Sequence, residues 1–340
     1  MGTLSTAVWR VDAARPDPAV LAEAGSLVRK GKLVAFPTET VYGLGANALD
    51  PDAIGALFAA KGRPADNPLT LHLAAVEGLP SYVAEIPVLA SRLMKAFWPG
   101  PLTIVFKSAG NLPRAVTGGL ETIAVRVPAH PVALGLIRAA QTPVVAPSAN
   151  LSGRPSPTTA AHVLDDLAGR IHLVLDGGPT PIGIESTVLD LTDECPMILR
   201  AGMVTKEQIA AVSGVAPETV REAVIEQNPD WSRCRLILVE GPPGPAAQEV
   251  LRLYEKFALE NKTTGIVTRE ERVGYYPGPV VGCGRAGDAG SVAAGIYAAI
   301  RQLENLDVIL VESAPGDLGP VVQQRLRRVA FQVIRVGNAQ

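Results

Sequence analysis

The run Lys61-Gly62-Arg63-Pro64 sets two cations one residue apart in a loop stiffened by proline. An arginine fork grips carboxylate or phosphate through paired N–H bonds, and a lysine beside it adds a point charge, so the pair suits an anion clamp; a solvated loop pair is the competing reading. Val145-Ala146-Pro147-Ser148-Ala149-Asn150 ends an apolar run with a hydroxyl and an amide two residues apart, and Gly153-Arg154-Pro155-Ser156 follows. Ligands of open α/β sheets gather at the carboxyl ends of strands, where this cluster falls, although Ser/Asn turns of this composition are common. Gly31 to Gly45 passes from an apolar stretch into a glycine-bearing turn crowded with hydroxyls, which fits either close approach to a small polar ligand or a well-capped turn. Glu185-Ser186-Thr187-Val188 precedes one apolar run, and Arg200 ends another.

The elements that must hold these groups follow from periodicity. A helix is expected around Leu21 to Arg29 and a strand from Lys32 to Pro37. Asp50-Pro51-Asp52 supplies an N-cap, an N1 proline and an early acid, so a helix from Pro51 to about Ala60 should deliver Lys61 at its end. In Leu69-Thr70-Leu71-His72-Leu73 the leucines share one face, leaving His72 on the other. In Thr122-Ile123-Ala124-Val125-Arg126-Val127 the same period puts Thr122 and Arg126 on one face, and a charge on such a strand needs a partner or a cleft. Alternating strands and helices over the first two thirds imply an α/β domain.

At 340 residues the chain favours two domains. The pattern weakens into helix-like polar sequence between Met203 and Arg233, ending in Asn228-Pro229-Asp230 as the connection between domains, and restarts with expected strands at Arg235 to Glu240, Thr264 to Thr268 and Asp307 to Val311. Helices are expected at Ala246 to Leu259, with Val250, Leu253, Tyr254 and Phe257 inward, and at Val292 to Leu303. This is a β-α-β succession suited to a small doubly wound domain.

Bulk properties exclude several classes. A net charge of -2 gives no global drive toward nucleic acid, so any RNA contact would come from a local patch. Three scattered cysteines, Cys195, Cys234 and Cys283, form no C-x-x-C pair, which argues against structural zinc and a disulfide framework. No apolar run reaches membrane-spanning length and no leader pattern opens the chain, so a cytoplasmic protein is expected. Two glycine motifs are set aside. Gly282-Cys283-Gly284-Arg285-Ala286-Gly287 follows a short, proline-broken run and lacks a defensible downstream acid, and Glu240-Gly241-Pro242-Pro243-Gly244 lacks the Lys-Ser/Thr ending of a P-loop.

Taken in order, Phe36-Pro-Thr-Glu-Thr-Val-Tyr-Gly-Leu, Lys61-x-Arg63-Pro with Asn67-Pro-Leu, Trp98-Pro-Gly-Pro-Leu-Thr, Val125-Arg-Val-Pro, Ala146-Pro-Ser-Ala-Asn, Glu185-Ser-Thr-Val and Leu199-Arg200 closely resemble the YrdC-like family, in its two-domain threonylcarbamoyl-AMP synthase branch. The resemblance implies an open, twisted mixed sheet with a concave cavity over residues 1–204, a linker over 205–234 and a smaller Rossmann-like α/β domain over 235–340. It implies that Lys61 and Arg63 are the catalytic cations on nucleotide phosphate and substrate carboxylate. Thr38, His72, Arg126, Ser148 and Ser186 would surround threonine; Thr122, Asn150, Ser156 and Arg200 would lie near the nucleotide. Two family features are missing: Arg200-Ala201-Gly202 replaces the usual Arg-Pro-Gly, and the linker motifs Pro-Gly-Met and His-Tyr-Ala-Pro are absent between Met203 and Arg235.

The implied reaction joins L-threonine, bicarbonate and ATP into threonylcarbamoyl-AMP and pyrophosphate, with Mg2+ entering on ATP. The product would pass to a tRNA threonylcarbamoyl-transferase complex for the N6-threonylcarbamoyladenosine modification. The competing class is an RNA-binding or regulatory protein using the cavity as a docking surface, against which near-neutral charge and 4% aromatics weigh. Carbamoyl-transfer maturation factors embed a similar domain but carry paired-cysteine zinc fingers, which this chain lacks.

Overall fold

The computed structural model describes residues 4–219, 234–313 and 319–337. The chain divides into two compact units. The first holds β1 (Ala7–Arg10), α1 (Pro18–Arg29), β2 (Val34–Phe36), β3 (Gly43–Asn47), α2 (Pro51–Lys61), β4 (Thr70–His72), α3 (Val88–Phe97), β5 (Leu102–Lys107), α4 (Arg114–Thr117) and β6 (Thr122–Arg126). It continues through α5 (Pro131–Ala140), β7 (Val144–Val145), α6 (Ala160–Leu167), β8 (Leu173–Asp176), β9 (Thr187–Asp190), β10 (Met197–Arg200), α7 (Lys206–Ser213) and β11 (Glu218–Thr219).

All eleven strands join one mixed sheet in the order β1-β8-β2-β3-β7-β4-β6-β5-β9-β10-β11. Two of its inner strands, β2 and β7, are apolar and buried at every position because both faces are covered. In β2, Val34 and Phe36 enter the core beneath α1 and α5, whereas Ala35 enters the larger core of α2 and Leu57; Leu173, Val174 and Leu175 of β8 alternate in the same way. The helix expected from Pro51 ends one residue later than anticipated, at Lys61, with Asp50 Oδ1 accepting from Asp52 N and Ala53 N and Gly62 closing it in the left-handed region at φ 59°.

Residues 206–219, read from sequence as linker, are instead built into the first unit. Thr205 and Gln208 form a reciprocal capping box that starts α7, and β11 pairs in parallel with β10. Polar composition hid this: α7 buries only Ile209 and Ser213. The rest of that linker, with Asn228-Pro229-Asp230, lies outside the described residues.

The second unit comprises β12 (Arg235–Glu240), α8 (Pro243–Leu259), β13 (Thr264–Thr268), β14 (Val280–Gly282), α9 (Ala289–Leu303), β15 (Val308–Ser313), α10 (Gly319–Val329) and β16 (Gln332–Arg335), with the short pieces Gly153–Pro155 and Ile182–Ile184. Its sheet is wholly parallel in the order β14-β13-β15-β12-β16. Ile237 and Val239 face α8 while Leu236 and Leu238 face α9 and α10, the two-sided cover of a doubly wound sheet. Val250, Leu253 and Phe257 are buried as expected and Tyr254 is partly so.

The proline-broken run before Gly282 does form a strand, β14, so the glycine motif sits between strand and helix after all. Its chemistry still disfavours a phosphate: Asp288 caps α9 by accepting from Ser291 N at 3.0 Å, placing a carboxylate where the anion would go. No helix of the described residues is long and apolar enough to cross a membrane.

Candidate active site

Lys61 arrives from the last turn of α2 and is 2% exposed. Its ammonium donates to the backbone carbonyls of Ser148 and, at 2.6 Å, Asn150, so the Lys-x-Arg and Ser-x-Asn segments meet directly. The Ser-x-Asn strand end is itself fixed against the hydroxyl-rich turn: Leu44 N donates to Pro147 O and Ala149 N to Tyr42 O, each at 2.8 Å. Burial first, and then the Arg63 charge, bring the Lys61 pKa from 10.5 to about 7, with Asp166 opposing. Two of three ammonium N–H groups serve carbonyls, leaving one for a ligand.

Arg63 is braced by the segment that follows it. Nη2 donates to Asn67 Oδ1 at 2.6 Å and to Pro68 O at 3.0 Å, and Nε reaches Asn67 O at 3.4 Å. Both N–H groups of Nη1 remain for an anion. Asn67, which the sequence offered only as part of a motif, thus gains a physical role.

A second group gathers across β4 and β6, where His72 and Arg126 pair in register. His72 is 3% exposed, and burial first, then the Arg126 charge, push its pKa down to about 3 against the bond to Thr70 O. The imidazole is therefore neutral near pH 7. Arg126 finds the partner its strand position demanded: Nε donates to Gly100 O at 3.1 Å and Nη2 lies 2.7 Å from Glu39 Oε1. Glu39, which no sequence argument singled out, is as buried as Arg126. The only sequence signal was its place between Thr38 and Thr40.

Ser186 and Arg200 form a third group. Arg200 Nη2 donates to Ser186 Oγ at 2.9 Å and Nε to Ser186 O at 3.1 Å, while Thr103 Oγ1 lies 2.8 Å from the same hydroxyl. Thr103 was likewise missed, although it ends the Trp98-Pro-Gly-Pro-Leu-Thr segment. Ser156 donates to Glu185 Oε1 at 2.6 Å, and so stays with the first unit although Gly153–Pro155 belong to the second.

Two candidates are placed differently from the rest. The Thr38 hydroxyl is spent inside its own turn, bonded to Val41 O at 2.7 Å and Thr40 Oγ1 at 2.8 Å and accepting from Thr40 N. Thr122 opposes Lys107 at the start of β6, roughly 13 Å along the strand from Arg126, and its hydroxyl makes no hydrogen bond among the described residues.

Comparison with known proteins decides the lineage. A family model described as "Telomere recombination", covering Sua5, YciO and YrdC, matches residues 26–202, and one described as "Threonylcarbamoyl-AMP synthase, C-terminal domain" matches residues 231–330. The chain is 43% identical to the threonylcarbamoyl-AMP synthase of Bacillus subtilis, over 96% of this chain and 98% of that protein. The chain belongs to the threonylcarbamoyl-AMP synthase family. Within the family it is also 42% identical to the synthase of Pyrococcus abyssi, over 92% and 95% of the two chains. The crystal structure of P. abyssi Sua5 complexed with L-threonine superposes with a TM-score of 0.88 at 41% identity, covering 97% of this chain and 99% of that one. A shorter family structure, E. coli YciO, aligns with a TM-score of 0.54 at 27% identity over 61% of this chain and 99% of its own.

Proposed function

We propose that this chain is an L-threonylcarbamoyladenylate synthase, converting L-threonine, bicarbonate and ATP to threonylcarbamoyl-AMP, pyrophosphate and water. The observation that carries the reading is the convergence of Lys61, Arg63 and the Ser148–Asn150 strand end in a chain that matches synthases over nearly its whole length.

Threonine amine and bicarbonate-derived CO2 form an N–C bond, and the ammonium protons leave to solvent or base. A carbamate oxygen then attacks the α-phosphorus of ATP, and the bond to the bridging oxygen of pyrophosphate breaks. Negative charge collects on the phosphate oxygens during that step, where fixed cations stabilise it. Lys61 offers one ammonium N–H and Arg63 the two N–H groups of Nη1. Both are held by protein carbonyls or an amide, so little rearrangement is needed when charge develops.

The polar groups nearest the amino acid in this reading are His72, Arg126, Ser148 and Ser186. Neutral His72 can hydrogen-bond a substrate hydroxyl or carboxylate without adding charge. Asn150, Ser156 and Arg200 take the nucleotide side. The Thr38 hydroxyl, committed within its own turn, gives that residue the least support on the threonine side, and Thr122, about 13 Å along β6 from Arg126, is assigned to the nucleotide side.

Mg2+ is proposed to arrive on the ATP phosphates, where it would neutralise phosphate charge. Among the described residues no group of three or more His, Cys, Asp or Glu could hold a metal ion. We place the protein in the cytoplasm and propose that its product passes to a tRNA threonylcarbamoyl-transferase complex. Mass spectrometry of the nucleotide formed from ATP, L-threonine and bicarbonate tests the reading. An adduct of threonylcarbamoyl-AMP mass supports it; AMP or ADP as the sole product rejects it.

A further inference from the structure

We propose that Glu39 is a positioning residue for the amino-acid substrate, acting by holding Arg126 as a preorganised receptor for the substrate's carboxylate. Side chains of the pair are 6% and 7% exposed, so two charges have been taken out of water together. Such a pair gains little over well-packed apolar residues of similar size, and its presence points to a task other than stability.

The geometry identifies the task. Arg126 Nε is bonded to Gly100 O, and the guanidinium cannot swing because Glu39 lies 2.7 Å from Nη2. Yet the approach is off the hydrogen-bond line: Arg126 Nη2 and both Glu39 oxygens are buried without a hydrogen bond. Charge attraction therefore fixes the guanidinium while N–H groups stay unsatisfied, and a buried donor without an acceptor is costly until something supplies one. A ligand carboxylate beside the fixed guanidinium supplies such an acceptor through a charge-assisted contact. His72, opposite Arg126 on the neighbouring strand, is neutral and adds no competing charge. Glu39 also faces His130, whose pKa burial lowers and Glu39 partly restores, so the carboxylate is seated among fixed groups rather than in solvent.

The inference rests on the reading that Arg126 serves the amino-acid side of the site. Its test is therefore a binding measurement independent of turnover, titration of L-threonine without ATP, on wild type, Glu39→Gln, Arg126→Gln and the double variant. Glu39→Gln should weaken threonine about tenfold, the change that 1.4 kcal/mol produces, and leave the KM for ATP within about twofold. The double variant should bind as Arg126→Gln does, because Glu39 works only through the guanidinium. Should Glu39→Gln alone not fold, comparison of Arg126→Gln with the charge-neutral double variant decides the same point. Unchanged threonine affinity in Glu39→Gln, or losses that multiply in the double variant, overturns the proposal. If wild type turns over threonine normally in either case, this inference fails while the synthase reading stands. If wild type does not bind threonine, both fall.

Discussion

Lys61 Nζ donates to the backbone carbonyl of Asn150 at 2.6 Å, joining two motifs that lie 89 residues apart. Removing this lysine has two consequences that differ in kind. The site loses a cation aimed at phosphate, and the carbonyls of Ser148 and Asn150 lose a buried donor. With a charge-assisted contact contributing ~2 kcal/mol, Lys61→Ala and Arg63→Ala should each lower kcat/KM by roughly 30-fold. Lys61→Ala should also lower the melting temperature, whereas Arg63→Ala, whose partners are more accessible, should do so less. Near-normal kcat/KM in both variants removes the pair from the reaction.

Asn67 makes the principal brace on Arg63, through Oδ1 at 2.6 Å. Asn67→Ala leaves Arg63 charged but frees it to sample other rotamers. We expect kcat/KM to fall by about tenfold, less than for Arg63→Ala, and the double variant to resemble Arg63→Ala. Steady-state kinetics on the three variants checks this, and additive losses would show that Asn67 acts elsewhere.

The Lys61 pKa, lowered by burial from 10.5 to about 7, gives a pH dependence with a definite sign. The cationic form is the useful one, so kcat/KM for ATP should be full below pH 7 and decline as pH rises through about 7. Stability runs the other way. Between 7 and 10.5 the unfolded chain binds the proton that the folded chain has released, so unfolding free energy from this residue rises with pH across that window. Melting temperature measured from pH 7 to 10 should therefore rise in wild type relative to Lys61→Met. A falling difference contradicts the burial argument.

Gly202 lies against the backbone of the Ser186 segment: a Cβ there would stand 2.3 Å from Thr187 N and 2.5 Å from Ser186 C. Neither atom can yield as a flexible side chain could. Gly202→Ala should displace Ser186 and with it the Arg200 bonds, destabilising the fold by about 1–3 kcal/mol and lowering activity. Chemical denaturation paired with kinetics measures both. Ala201, where the family resemblance implies proline, lies next to this contact in the chain, and the Arg200–Ser186 bonds stand at 3.1 and 2.9 Å.

The parts of the fold set by local rules were legible in the sequence. Asp50-Pro51 starts α2 in the structure as its capping chemistry implied, and period-two alternation set His72 and Arg126 off the apolar faces of two strands that the structure pairs in parallel. Glu39 stayed hidden because its partner is 87 positions away on β6, and no local pattern marks a carboxylate for burial. Thr103 was hidden likewise, since only the β5–β9 pairing brings it to Ser186. The strand β14 defied its prolines because it lies at the sheet edge and Pro277 and Pro279 precede it, where missing N–H groups cost nothing to the ladder. Helix α7 falls in the stretch read as helix-like, but its face toward the core is so narrow that its place in the first unit was not legible.

The most direct test of the account is pyrophosphate release from ATP with Mg2+, measured with L-threonine and bicarbonate each omitted in turn. The account predicts release only when both are present. Release that ignores either omission, or none at all from folded protein under every condition, would contradict it.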